Sequence, residues 1–202
     1  MNKLHFEPID HRYTLDGVHI PNVTTVLEDV GIVDFSMVPK DTLEEAQARG
    51  TAVHHATHLH DLGTLNEETL GDKIKPYLEG WKKFKKETGV IFLERELVVF
   101  SEKYRFAGTL DAVALLFGKT GILDIKSGAD SGAAVQTAAY EIAHNEKLGA
   151  TVRTKKCWSV QLTKTGDYKL KEHSGKTDKS IFLGALSVYN YKQNKRGRSW
   201  RK

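Results

Sequence analysis

The sequence predicts an α/β domain in which helices flank a mixed central β-sheet, with a helical addition on its N-terminal side. Residues 107–116 and 121–126 are apolar runs with few charges, as in buried strands, and the short glycine-containing connection between them predicts an antiparallel hairpin. Residues 133–147 then predict a helix, and residues 156–163 and 168–173 alternate as strands do. With 202 residues and 40% hydrophobic content, the chain is long enough for one domain and too short for two of ordinary size.

The N-terminal part predicts a short β-hairpin followed by a helix. Residues 11–14 and 18–20 flank the pair Asp16-Gly17, which is typical of a two-residue hairpin turn. The segment Pro21-Asn22-Val23-Thr24-Thr25 then leads into a helix at residues 26–30. We expect the hairpin to pack at the solvent edge of the domain.

The next predicted helix spans residues 41–62, with Asp41 as its N-cap. It contains the pattern R-G-x-x-x-H from Arg49 to His54, and His54 shares a face with His58 at i, i+4 spacing. Such a pair could bind zinc, but the H-E-x-x-H pattern is absent and no cysteine lies near. Histidines clustered in this way are more often a solvated helix face, and the others here are His55, His58 and His60.

A polar amphipathic segment at residues 66–87 is interrupted by Pro76, which predicts two helices or one kinked helix. Its side chains leave two interpretations open. An apolar stripe faces the core and a basic face is solvated, or the lysines follow the path of a nucleic-acid backbone. The stripe consists of Tyr77, Trp81 and Phe84, and the lysines are Lys82, Lys83, Lys85 and Lys86.

Three charged side chains interrupt the two apolar runs of the predicted central hairpin. Asp111 lies in the first run, and Asp124 and Lys126 lie two residues apart in the second, so these two leave the same face. With the connection centred near Lys119, we expect Asp111 to lie across from Lys126 and Ser127. Two carboxylates can hold a hard divalent cation that polarises a phosphate and acidifies a water, and a lysine can position that water. The alternative is a buried pair of Asp and Lys with no chemistry.

On the helix that follows, Gln136 and Tyr140 are spaced i, i+4 and share a face. The patterns G-T-L-D at Gly108–Asp111, L-D-I-K-S-G at Leu123–Gly128 and this Q-x-x-x-Y together resemble the RecB-like branch of the PD-(D/E)xK nuclease superfamily. Leu110 stands where the superfamily name has proline. The resemblance implies that Asp111 and Asp124, the latter in place of the commoner glutamate, bind metal, that Lys126 is the catalytic lysine, and that Gln136 and Tyr140 contact substrate.

The same resemblance extends upstream of the hairpin. Arg49–His54 matches the R-G-x-x-x-H helix that is the first motif of RecB-like nucleases, which implies that His54 is a metal ligand. Residues 90–100 predict a strand on which Glu94 and Glu96 share a face. In the family a glutamate on this strand can approach the metals, and Glu96 matches it better, while we expect Glu94 to face solvent. The patterns H-x-Y-x-x-D-G and P-x-V-T near the start resemble an opening seen in phage-type members.

The resemblance implies a nuclease that hydrolyses phosphodiester bonds in DNA and depends on Mg²⁺ or Mn²⁺. We expect an exonuclease that acts on DNA ends or single strands in recombination or repair, encoded by a phage or a bacterium, with recombination or replication proteins as further partners. Two alternatives stay open: a structure-specific endonuclease on the same fold, and a DNA-binding module that does not cleave. The predicted nuclease domain spans residues 1–191.

The remaining features concern the compartment and the C-terminal end. Cys157 is the only cysteine, which excludes an intramolecular disulfide and the four-cysteine iron–sulfur cluster that some relatives hold. No apolar segment has the length of a signal core or a membrane span, so we expect a cytoplasmic protein without membrane contact.

Residues 192–202 form a predicted basic tail with Trp200. Subtracting the six positive charges of this tail from the formal net charge of +4 leaves −2 for the rest of the chain. Such a tail could contact nucleic acid or simply promote solubility.

Overall fold

A five-stranded mixed β-sheet lies at the centre of the computed structural model, which describes residues 3–8, 12–129, 131–146, 148, 153–173 and 176–199. Helices pack on this sheet, and a small three-stranded antiparallel sheet precedes it in the chain. The predicted α/β class with a mixed central sheet is confirmed. The described elements are β1 (Leu4–Glu7), β2 (Arg12–Leu15), β3 (Val18–Ile20), α1 (Val23–Asp29), α2 (Lys40–Asp61), α3 (Lys75–Thr88), β4 (Ile91–Ser101), β5 (Phe106–Leu116), β6 (Lys119–Lys126), α4 (Ala133–Glu146), β7 (Lys156–Leu162), β8 (Tyr168–His173) and α5 (Lys176–Ser199).

The central sheet has the strand order β4-β5-β6-β7-β8. The pair β6–β7 is parallel and the other neighbouring pairs are antiparallel. Parallel neighbours need a crossover connection, and α4 supplies it between β6 and β7. Helix α4 therefore starts close to where β6 ends, which brings its first turns beside the charged residues of that strand.

The turn between β5 and β6 is tighter than the sequence predicted. It contains only Phe117 and Gly118, with φ of 50° and 70°, the positive values that a two-residue hairpin turn of this hand requires. Strand pairing runs from Leu116 opposite Lys119 to Ala112 opposite Leu123. The expectation that Asp111 lies across from Lys126 and Ser127 is therefore wrong, because this register sets Asp111 beside Asp124 instead.

Apolar side chains bury both faces of the central sheet. On one face, residues of β5 and β6 pack with α1, α4 and α5, and Phe106 meets Phe182 edge to face with ring centroids 4.8 Å apart. On the other face, Val53 of α2 and the apolar stripe of α3 cover the alternate residues of the same strands. Tyr77, Trp81 and Phe84 are all buried, so the predicted core-facing stripe is confirmed.

Three of the four lysines considered on α3 form ion pairs with neighbouring acids. Lys82 lies 2.9 Å from Glu79, Lys83 lies 3.1 Å from Asp167, and Lys85 pairs with Asp61. These ion pairs favour the interpretation of a basic face that stabilises the fold locally over one that follows a nucleic-acid backbone.

The N-terminal sheet has the order β1-β2-β3 and rests on the start of β5. The predicted hairpin with its turn at Asp16-Gly17 is present as β2 and β3, whereas β1 was not predicted. Tyr13 is buried, and its hydroxyl is 2.8 Å from the Thr109 hydroxyl. Asn22 forms a parallel bridge with Ala107, so this sheet is fixed to the strand that contains Asp111.

Several helix boundaries differ from prediction. Helix α1 begins at Val23 because Asn22 caps it, accepting a hydrogen bond from the Thr25 N–H at 2.7 Å. Helix α2 begins at Lys40 after Pro39, so Asp41 lies inside the first turn and is not the cap. Pro76 stands in the first turn of α3, where its missing N–H removes no helical bond. The predicted division into two helical pieces is present, but it lies before Pro76, between a 3₁₀ turn at Glu67–Thr69 and α3.

Helix α5 is longer than the predicted residues 181–191 and takes in part of the predicted basic tail, ending at Ser199. Lys192 and Arg196 of this part lie 3.0 Å and 3.2 Å from Asp29 at the end of α1. Five residues of the predicted elements lie outside the described residues: His11, Lys147, Trp200, Arg201 and Lys202. Among the described helices, none is both long and apolar enough to cross a membrane.

Packing around β6 makes a prediction about glycine. A Cβ added to Gly121 would meet the carbonyl oxygen of Lys156 and the ring of Trp158, and the first of these is backbone that cannot rotate away. Gly121→Ala should therefore lower the free energy of unfolding by about 1–3 kcal/mol, as overpacking does. Urea denaturation followed by circular dichroism measures this.

Gly184 in α5 provides the matched control, because a Cβ there meets nothing within 4 Å. Gly184→Ala should raise the free energy of unfolding by about 0.5–1 kcal/mol, since it restricts the unfolded chain and favours the helix. Equal shifts for the two variants would contradict the close packing of Gly121.

Candidate metal and catalytic site

Three potential metal ligands from three separate elements meet at the middle of β5. His54 comes from α2, Glu96 from β4 and Asp111 from β5, and one ligand atom of each lies within 4.8 Å of the other two. Nδ1 of His54 is 3.3 Å from Oδ1 of Asp111. Val53, the buried neighbour of His54, anchors this turn of α2 on the sheet. Of the residues predicted to bind metal, these three come together most closely.

Glu96 reaches this group through an unusual backbone conformation. Its φ is 48°, in the left-handed region, where a residue with a side chain is strained by about 1–3 kcal/mol. Arg95 pairs with Ala112 and Leu97 with Leu110, so Glu96 lies opposite Asp111. Glu96 is exposed, but desolvation by neighbouring groups, with the charge of Asp111 in addition, raises its pKa. Glu94 is exposed, as predicted, and does not belong to the group.

Asp111 is held in place by more than His54. Its Oδ2 accepts a hydrogen bond of 2.6 Å from the backbone N–H of Ile125 on the neighbouring strand. Burial alone would raise the pKa of Asp111, but the charge and hydrogen bond of His54, with the bond from Ile125, hold that pKa below its usual value. Asp111 is therefore ionised and pre-positioned before any cation arrives.

Asp124 and Lys126 form an ion pair beside this group. Asp124 is only 3% exposed, and its Oδ2 lies 2.9 Å from Nζ of Lys126. Burial raises the pKa of Asp124, the charge of Asp111 adds to that effect, and Lys126 opposes it. Asp124 does not fall within the close group of His54, Glu96 and Asp111; it is turned toward Lys126 instead.

A chain of hydrogen bonds connects Lys126 to α4. Nζ of Lys126 donates to Oε1 of Gln136 at 2.7 Å, and Nε2 of Gln136 donates to the Tyr140 hydroxyl at 3.1 Å. Tyr140 is buried, which raises its pKa, and its ring covers Gly108, where a Cβ would lie only 2.6 Å from it. The G-T-L-D and Q-x-x-x-Y patterns are thus in direct contact.

The charges of the site favour a bound cation. The negative charge of Asp111 raises the pKa of His54 to about 9 against the effect of burial, and Asp124 and Glu96 add to the increase. A proton on His54 thus balances part of the negative charge of the three acids. Oxygen ligands with one imidazole suit Mn²⁺, and the carboxylates also suit Mg²⁺, so the residues present fit the divalent ion implied by the resemblance.

The other histidines of α2 do not join the group. His55 is exposed, and Nδ1 of His60 lies 3.5 Å from a carboxylate oxygen of Glu67. His58 shares a face with His54 by spacing but belongs to no cluster of metal ligands among the described residues.

The group opens into a pocket of about 790 Å³. Of the predicted site residues, His54, Glu96, Asp111 and Tyr140 line it, whereas Asp124, Lys126 and Gln136 do not. It is also lined by side chains that the sequence did not assign to the site. The N-terminal sheet and α1 contribute Tyr13, Asn22, Val23, Thr24 and Thr25, and α2 contributes Gln47 and Thr51. Two signals could have identified them: the P-x-V-T pattern, and the i, i+3, i+4, i+7 spacing that puts Gln47, Gly50, Thr51 and His54 on one helical face.

The pKa of His54 makes the stability of the metal-free protein depend on pH. The pair with Asp111 stabilises the fold fully below about pH 6.5, the ordinary pKa of histidine, and this contribution is lost as pH rises through about 9. The unfolding free energy of the wild type should therefore fall over this range relative to His54→Asn. Denaturation at a series of pH values, with a chelator present, measures it.

Metal binding should show the complementary effect, because an ion has to displace the proton on His54. The apparent affinity for Mn²⁺ should rise with pH up to about 9 in the wild type and in His58→Ala. His54→Ala should bind Mn²⁺ more weakly and lose this pH dependence, as isothermal titration would show. An unchanged pH profile in His54→Ala would exclude His54 as the coupled group.

No protein-family model and no curated protein matches the chain. The resemblance to RecB-like nucleases accordingly depends on the motif residues themselves, and a function has to be argued from their arrangement.

Proposed function

We propose that the protein is a divalent-metal-dependent deoxyribonuclease with the catalytic residues of the RecB-like PD-(D/E)xK nucleases. The observation that supports it best is that His54, Glu96 and Asp111 meet in one pocket, next to the ion pair of Asp124 and Lys126. His54, Glu96 and Asp111 lie far apart in the sequence, and the resemblance implies a metal-binding role for each of them.

The proposed metal ligands are His54, Asp111 and Asp124, with Glu96 as a further ligand. Bound there, Mg²⁺ or Mn²⁺ would polarise the scissile phosphate and acidify a water. Asp111 presents one oxygen to His54 and keeps the other on the Ile125 N–H, so its orientation is fixed by the sheet. Burial and the charge of Asp111 raise the pKa of Asp124, so a cation beside it would stabilise its ionised form.

Lys126 is the proposed catalytic lysine. Its ammonium group is held between Asp124 and Gln136, so it can donate a hydrogen bond to an attacking water or to a phosphate oxygen without searching for its position. Gln136 orients Lys126, and Tyr140 orients Gln136 through its hydroxyl. Both residues of α4 would thus position the lysine, in addition to the contact with substrate that the resemblance implies.

The pocket favours a single strand with a free end as substrate. Its volume of about 790 Å³ lies within the range of sites for small ligands and is suited to a few nucleotides rather than a duplex. It is lined by Tyr13 and Thr24 from the N-terminal part of the chain and by Gln47 of α2, so a bound strand would contact both of these parts. An exonuclease that threads a DNA end fits such a pocket.

A non-cleaving DNA-binding module accounts less well for these residues. Asp124 is almost fully buried next to another carboxylate, an arrangement that costs folding free energy. Binding of a phosphate backbone alone would need positive charge at this place.

Replacement of the central charges should abolish cleavage. Lys126→Met should lower the rate of hydrolysis by about 10²–10⁴-fold, the usual effect of removing a group that transfers or positions a proton. Asp111→Asn should do at least the same because it removes a fixed metal ligand. Release of labelled nucleotides from linear single-stranded DNA with Mn²⁺ measures the rate.

Lys169→Met is the control for the loss of a lysine, because Lys169 is exposed on β8. It should cleave like the wild type, and circular dichroism should show all variants to be folded. Normal cleavage by either Lys126→Met or Asp111→Asn would refute the proposed function.

The form of the DNA distinguishes exonuclease from endonuclease. If a strand has to be threaded into the pocket by its end, linear single-stranded DNA should be degraded, whereas a closed circular strand of the same sequence should survive with the same ion. Gel electrophoresis over a time course distinguishes them. Rapid cutting of the circle would replace the exonuclease with a structure-specific endonuclease on the same catalytic residues.

A further inference from the structure

Arg49 lies on α2 five residues before His54, and its guanidinium group reaches the segment that follows β6. A Cβ added to Gly128 would lie 3.7 Å from a terminal nitrogen of Arg49. In the same way, a Cβ on Gly50 would lie 3.7 Å from the Ser127 hydroxyl oxygen. Helix α2 therefore crosses the chain directly after Lys126, with glycine on both sides of the contact.

The charge of Arg49 is not balanced within the described part of the molecule. Its Nε is buried and has no hydrogen-bond partner among the described residues. Arg95 also has a buried Nε without a partner, but its charge is balanced by an ion pair with Asp61, and Lys192 pairs with Asp29. Among the described residues, no carboxylate forms such a pair with Arg49. Burial of a guanidinium N–H without an acceptor is unfavourable, so an acceptor from outside the chain is expected.

We propose that Arg49 binds a phosphate group of the substrate strand, next to the scissile one, at the end of β6. The inference rests on the proposed nuclease function and adds a second phosphate site to it. A planar guanidinium can donate two parallel hydrogen bonds to phosphate oxygens, which a lysine cannot. The small residue Gly128 leaves room for the phosphate, and the Ser127 hydroxyl offers a further donor beside it.

The position of Arg49 relative to Lys126 indicates what its contact with a phosphate would do. Lys126 acts on the phosphate that is cleaved, and Ser127–Gly128 continue the same chain away from the metal ligands. A phosphate held by Arg49 would fix the register of the strand, so that only one phosphodiester bond meets His54, Asp111 and Lys126. Arg49 would be a positioning residue for the neighbouring nucleotide.

The competing interpretation is that Arg49 only packs its aliphatic part against Gly128. Arg49→Gln tests it, because glutamine retains much of that packing and removes the charge. Lys40→Gln is the matched control: Lys40 begins the same helix, is exposed and pairs with Glu44, so the variant loses one positive charge far from Ser127.

The experiment uses the full chain in the Lys126→Met background with Mn²⁺, so that the DNA stays intact. The probes are a fluorescent single-stranded oligodeoxythymidine and a set of the same oligonucleotide with one phosphate at a time replaced by neutral methylphosphonate. One position in the set should weaken binding roughly tenfold with Arg49 present, the usual effect of losing a charged hydrogen bond. A methylphosphonate at that position should not weaken binding to Arg49→Gln. At the other positions, it should weaken binding to both proteins equally.

Salt dependence gives a second measurement. Arg49→Gln should reduce the slope of log affinity against log salt by about 0.7, the value for one phosphate contact to a single strand. Lys40→Gln should keep the slope and the full methylphosphonate profile. Identical profiles for Arg49→Gln and its parent would overturn the Arg49 inference and leave the nuclease function untouched. If the parent fails to bind the unmodified oligonucleotide, the nuclease function itself is overturned, and the Arg49 site with it.

Discussion

The placement of Asp111 beside Asp124 on adjacent strands is the constraint on which the site depends. Two buried carboxylates repel each other, so the surrounding elements have to supply positive charge and hydrogen-bond donors. Helix α2 supplies His54, the backbone of β6 supplies the Ile125 N–H, and β6 itself supplies Lys126. Helix α4 then fixes Lys126 through Gln136. Strand β6 and helices α2 and α4 thus all take part in balancing the charge of the two carboxylates.

Strand β5 is where these layers meet, and its consecutive residues have separate tasks. Ala107 forms the bridge to Asn22, Gly108 admits the ring of Tyr140, and Thr109 bonds to Tyr13. Asp111 follows on the same strand. The N-terminal sheet, α4 and the metal ligands are therefore all registered against one short stretch of backbone, and a shift of that stretch would misplace all of them together.

Much of the site could be predicted from the sequence because the motif residues lie on regular elements whose side-chain directions follow from periodicity. The two-residue spacing of Asp124 and Lys126 set their common face, and the i, i+4 spacing of Gln136 and Tyr140 set theirs.

The register of β5 with β6 could not be predicted, because it depends on a turn in which Phe117 adopts a positive φ. A positive φ is uncommon for a bulky residue such as phenylalanine, so the sequence does not predict it. The direction of the Glu96 side chain could not be predicted either, because its left-handed backbone breaks the simple alternation of side chains along β4. The wall of the pocket formed by Thr24 and Thr25 was missed because its contacts are formed by residues distant in the chain.

The contact between Gly108 and Tyr140 has a consequence for the evolution of this site. Because the ring occupies the space of a Cβ at position 108, neither residue can change freely while the other is kept. Among homologous chains, positions 108 and 140 should therefore vary as a pair, with a side chain at the first accompanied by a smaller residue at the second. Lineages that lose the tyrosine would be released from the glycine, and the hydrogen bond that steadies Gln136 would have to be replaced from elsewhere.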